Sequence, residues 1–226
     1  MFLISETKMI TLKQTSITST NAEAVVNPVE PMLLTYSSSE YNRISREIYA
    51  AAGRLLDENG KKLSNMSSGS VLVTNGYELK YAKKVFHVQC PSNPVPISHD
   101  YGTIEQHYKN AYQRLPDLEN AVRSILSQAL EMKLKSIAIS TTTGAQNFCN
   151  MPFDLIVKTI VKTTYLYVEN NKSIDFEIIL VVPKDYDQAL KLSRRCLEIL
   201  SLPSNSKTRQ EFLEDGLSLG SIPINS

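Results

Sequence analysis

Tryptophan is absent from this sequence, and cysteine, histidine and glycine are scarce: three, three and eight residues among 226. Cys90, Cys149 and Cys196 are far apart, odd in number and free of any C-x-x-C spacing. That excludes a disulfide framework and a zinc or dithiol redox motif, and it points to a reducing compartment. No apolar run reaches the length that spans a bilayer, and the opening MFLISETKMI carries Glu6 and lacks the apolar core of a secretion signal. The expected address is therefore cytoplasmic or nuclear, with no membrane partner. Charge of one sign is missing too. Twenty-four basic against 23 acidic side chains give a net +1, so any nucleic acid would have to be drawn by a local patch.

What is present suffices for one ordinary domain, since 42% of the residues are hydrophobic. Short Val-, Ile- and Phe-rich runs at 22–27, 70–74, 84–89, 136–140 and 176–182 are bounded by Asn, Gly, Pro or Ser, as strands are. MITLKQTSIT at 9–18 reads as an edge strand. Between these runs the apolar spacing is helical: Ile44, Ile48, Ala51, Ala52 and Leu55 share one face of a helix that stops near 53–56, and Leu118, Val122, Ile125, Leu126, Ala129 and Leu130 share another over 117–132. Further amphipathic runs cover 153–169 and 185–201. This alternation predicts an α/β fold with a mostly parallel central sheet and helices on both faces. The organisation expected is a leader at 1–8, a domain at 9–202 and a polar, loosely held tail at 203–226.

In an open α/β sheet, ligands sit beyond the carboxyl ends of the strands. The segments to examine are thus 27–30, 90–94, where CPSNPVP breaks regular structure, and the loop TTTGAQNFCNMP that opens at Thr141. His87 lies in an apolar strand and reads as a core residue. His99 and His107 have no Cys or Asp partners at ligand spacing, so no metal is expected, and no cofactor is implied. Cys149 has no identifiable His or acidic partner that would make it a nucleophile. Lys80, Lys83 and Lys84 with Tyr77 and Tyr81 form a basic, aromatic-containing segment that offers an alternative, nucleic-acid-binding reading.

Taken in order, AEAVVNP, IYAAAG, VTNGYELKYAKKVFHVQCP, LKSIAIS and FEIILVVPKDYDQAL resemble the macro domain family over residues 9–202. The most specific piece is Thr74, Gly76, Tyr77, Leu79, Val85, His87 and Pro91. The resemblance implies a three-layer α/β/α sandwich whose cleft takes ADP-ribose, free or on a protein, and in some members hydrolyses the linkage. The family's G-D-I-T, whose aspartate accepts from the adenine amine, corresponds to Thr15, Ser16, Ile17 and Thr18; Ser16 keeps a hydrogen-bonding group without the charge.

The ribose-contacting N-A-A-N corresponds to Asn27, Pro28, Val29 and Glu30. The glycine-rich phosphate loop is replaced by YNRISRE, which brings Arg46 to a pyrophosphate-facing position, where it either closes the groove or swings out to supply charge to a phosphate. Ser45 stands where hydrolases carry an acidic residue, and Ile48 holds an apolar position of the same motif. Thr142, Thr143, Gly144, Ala145 and Gln146 match the second phosphate loop, and the position of the ring that stacks on adenine corresponds to Val182 or Pro183, with Tyr186 nearby as a substitute.

These correspondences imply a binding module for ADP-ribose or a related nucleotide group. The alternatives are a scaffold that has lost that ligand and holds protein or nucleic acid, and a hydrolase in which Asn27 places a water and Glu30 is the base.

Overall fold

The computed structural model describes residues 9–29, 43–53, 66–89, 108, 111–142 and 152–214. Its six strands are β1 (Ile10–Gln14), β2 (Ala24–Val29), β3 (Val71–Asn75), β4 (Lys84–Gln89), β5 (Ser136–Ser140) and β6 (Glu177–Val182). They lie in the order β1-β6-β5-β2-β4-β3, all parallel except the β3–β4 pair. The helices are α1 (Arg43–Ala52), α2 (Leu115–Glu131), α3 (Phe153–Asn170), α4 (Asp187–Leu200) and α5 (Lys207–Glu214). The architecture is the expected three-layer α/β/α sandwich with a mixed, mostly parallel sheet.

Alternation along the strands assigns the two layers. Val26, Phe86, Val88, Ile137, Ile139, Ile178 and Leu180 join Leu118, Ile125, Ile156, Ile160 and Leu197 in the larger core, under α2, α3 and α4. Their neighbours Val25, Val85, Ala138, Ile179 and Val181 face the other way and meet Ile17, Ile44 and Ile48 under α1. Helix α3 is buried over most of its circumference because it packs against both α2 and α4. Among the described residues, no helix is long and apolar enough to cross a membrane.

Two glycines are structurally required. Gly53 closes α1 at φ +77, where a Cβ would stand 2.6 Å from the Glu78 carboxyl carbon, and the Glu78 N–H donates to Ala52 O at 3.2 Å. Gly76 opens the turn between β3 and β4; a Cβ there would lie 1.9 Å from Ala82 O.

Three sequence expectations change. The first strand stops at Gln14, well short of residue 18, because 15–20 turn back on themselves. The second runs on to Val29, through Pro28, which is unusual for a central strand because proline cannot donate to a ladder. Here the ladder has already parted: β2 pairs with β5 only at Ala24 and Val25, while it pairs with β4 along its whole length. The Pro28 carbonyl accepts from the Ser45 hydroxyl of α1. The missing N–H thus falls on the unpaired side.

Third, residues 207–214 form a docked helix in place of a loose tail. Phe212 and Arg209 are buried; Arg209 pairs with Glu169 of α3, and the Lys162 ammonium donates to Leu213 O at 2.6 Å. The leader at 1–8 and the segment 215–226 lie outside the described residues.

Candidate functional site

The strand order reverses between β2 and β5. From β2 the chain moves outward to β3 and β4, then crosses back by α2 to β5 and onward to β6. Ligands of open α/β sheets bind beyond the strand ends at such a switch point, and here β2 and β5 pair only at Ala24 and Val25.

Asn27 of β2 stands at this point, fully buried. The parallel register sets it opposite His87 of β4, with Nδ2 3.0 Å from His87 Nδ1, and His87 Nε2 is 2.9 Å from Thr74 Oγ1 of β3. On the other side the Ser45 hydroxyl lies 2.8 Å from Asn27 Oδ1 and 2.5 Å from Pro28 O. Four elements thus supply one row of polar side chains under α1. Burial lowers the His87 pKa to about 4, so the ring is neutral at physiological pH. The reading of His87 as a core histidine agrees with its burial, and its bond to Asn27 adds a connection to the switch point.

A second group lies where the chain leaves β1. The Glu47 carboxylate, projecting from α1, accepts from the Ser16 hydroxyl, from Thr18 Oγ1 at 2.8 Å and from the Thr18 N–H at 3.2 Å. A charge-free loop has therefore gained a carboxylate from the helix above it. One turn earlier on the same face, Arg43 pairs with Asp185 at 2.7 Å, and its guanidinium lies 5.9 Å from the Tyr186 ring centre. Tyr186 in turn stacks on Phe153, centroids 6.3 Å apart and planes 24° from parallel. Sequence reasoning missed Glu47. Its i+4 spacing from Arg43 was the available signal, but its partners sit 29 and 31 residues away in the chain.

The other expected residues divide. Ile17 and Ile48 are buried in the apolar layer beneath α1, as supports. Arg46 is exposed on α1 and has no ion-pair partner among the described residues. Thr142 is buried, its hydroxyl 3.0 Å from Ser140 Oγ. Glu30, Thr143, Gly144, Ala145 and Gln146 lie outside the described residues, as do Cys149, His99 and His107.

In the basic segment, Lys83 is held by Glu23 at 2.8 Å, Lys84 donates to Asn75 at 2.8 Å and the Lys80 ammonium lies 4.9 Å from the Tyr81 ring centre. Lys83 and the Lys135 backbone N–H together hold the Glu23 pKa below the usual carboxylate value. Cys196 is a buried thiol pushed up to about 12, and no group of metal-binding side chains occurs among the described residues.

A family profile described as "Macro domain" matches residues 26–149. No curated protein sequence matches significantly.

Among solved structures, the macro domain of ganglioside induced differentiation associated protein 2 shares 21% identity, covering 85% of this chain and 88% of that one, with a TM-score of 0.63. A Trypanosoma brucei macrodomain in complex with ADP-ribose shares 20%, covering 84% and 69%, with a TM-score of 0.64. An Oceanobacillus iheyensis macrodomain with ADP shares 18%, covering 84% and 90%, with a TM-score of 0.64.

Proposed function

The chain belongs to the macro domain family, and from that premise we propose that it is a recognition module for ADP-ribose or a related ADP-ribosyl group, free or on a protein, with a cleft rebuilt on its α1 side. The observation that carries this reading is the Asn27 carboxamide. It is a buried amide at the end of a central strand, where the neighbouring strand departs, and it is aligned by Ser45 and His87. A polar group so placed suits a sugar hydroxyl, which needs both a donor and an acceptor. The solved macrodomains holding ADP-ribose and ADP support that class of ligand.

In this reading the base end is served by new residues. Glu47, held by Ser16 and Thr18, offers its second carboxylate oxygen to an exocyclic amine. This restores a charged acceptor where the strand loop itself has none. Tyr186, braced by Phe153 and Arg43, offers a ring face to the base. Exposed Arg46 supplies charge to the diphosphate where glycine amides would otherwise do so. The nucleic-acid alternative gains less support, because Lys83 and Lys84 already have partners. The cytoplasmic or nuclear address belongs to the same proposal.

Calorimetric titration with ADP-ribose tests the reading. The expected result is saturable binding that Asn27→Ala weakens about tenfold or more, the value of roughly one well-placed hydrogen bond. Neither heat nor a thermal shift at millimolar ADP-ribose would refute it.

A further inference from the structure

The buried row that ends at Asn27 carries more information than its distances, because its hydrogens can be assigned one by one. Asn27 Nδ2 can only donate, so the His87 Nδ1 facing it accepts and the ring proton sits on Nε2. Nε2–H then points to Thr74 Oγ1 at 2.9 Å, which leaves the Thr74 hydrogen for Asn75 O at 3.1 Å. The ring is neutral, and Nδ1 accepts from Asn27 Nδ2 at 3.0 Å. The nitrogen of the Asn27 carboxamide is thereby turned to His87 and its oxygen to Ser45.

Ser45 closes the row on the α1 side. Among the described residues its single hydroxyl hydrogen is shared between Pro28 O at 2.5 Å and Asn27 Oδ1 at 2.8 Å. Asn27 Oδ1 therefore receives a share of one hydrogen. The second Nδ2 hydrogen has no partner among the described residues. The carboxamide retains one donor and one acceptor, in an orientation set by its neighbour on β4.

We propose that His87, anchored by Thr74, is a positioning residue that fixes which end of the Asn27 carboxamide faces which side of the cleft, so that a ligand hydroxyl meets a donor and an acceptor already in place. This deepens the binding reading above and rests on it. His87 never touches the ligand. It removes the amide's freedom to turn over, and an amide free to turn would lose part of its hydrogen-bonding free energy to that disorder. Only an acceptor at the position of Nδ1 is needed for the task. Asparagine supplies one at the same distance from Cα, whereas leucine supplies none.

The test has two arms. In the ligand-free protein, nitrogen-15 NMR of the His87 ring should show Nε2 protonated and Nδ1 unprotonated; the opposite tautomer would overturn the proposal. In ADP-ribose titrations, His87→Leu should weaken binding about tenfold and His87→Asn should stay within about threefold of the parent. Equal binding by parent and His87→Leu, or equal loss in both variants, would overturn it.

Should His87→Leu fail to fold, Thr74→Val provides the second measurement. It removes the anchor while leaving Nδ1 in place, and its ring should then populate both tautomers; an unchanged ring counts against the proposal. A parent protein that binds no ADP-ribose strikes the binding reading instead. In that event the tautomer alone decides whether His87 orients Asn27.

Discussion

Acidification should weaken this protein through one buried ring. His87 is enclosed by Asn27 and Thr74, neither of which titrates, and burial depresses its pKa from 6.5 to about 4. The unfolded chain takes up this proton near pH 6.5, while the folded chain resists it until about pH 4. Between those values the unfolded state holds more protons, so stability falls as pH falls. A difference of roughly 2.5 between the two values, at about 1.4 kcal/mol each, makes the full loss about 3 kcal/mol, with about 2 kcal/mol of it already gone between pH 7 and pH 5.

Glu23, whose pKa is lowered by Lys83, contributes mainly below its ordinary value of 4.5, so measurements from pH 7 to 5 report chiefly on His87. Urea unfolding of the parent and of His87→Asn at pH 7, 6 and 5 measures the effect. His99 and His107 are common to both proteins and cancel. The parent should lose about 2 kcal/mol more than the variant over that range. Parallel pH dependence in the two proteins would refute the reasoning.

Two further outcomes test the frame around the site. Gly76→Ala would force a Cβ to within 1.9 Å of Ala82 O, a backbone atom that cannot step aside, so thermal unfolding should show a loss of at least about 2 kcal/mol. Phe212→Ala should cost about 3 kcal/mol and expose the chain near residues 202–206 to limited proteolysis, because the buried ring holds α5 on the domain; unchanged stability and cleavage would mean the helix is dispensable.

The strands most readily read from sequence were β4 and β5, whose limits match the apolar runs at 84–89 and 136–140. Both are enclosed by other strands, so nothing interrupts their apolar pattern. The edge strand was overestimated because the polar residues from Thr15 to Thr20 can serve a strand or a turn equally well. The end of β2 was underestimated because proline argues against a central strand, and only the divergence of β5 makes Pro28 acceptable there. The helix at 207–214 is hard to read for another reason: KTRQEFLE is polar overall, and just two of its side chains, Arg209 and Phe212, are buried.

The sequence alone determined the layer architecture, because periods of 2 and 3.6 in apolar residues are local properties of the chain, and its motif order carried the family resemblance. It also marked Asn27 and Ser45 as candidates. Only the tertiary structure decided what they do together. The row from Thr74 through His87 and Asn27 to Ser45 joins four elements by strand register, and Glu47 reaches the β1 loop across 29 to 31 residues. Such contacts depend on which surfaces the fold brings face to face, and a local pattern holds no record of that.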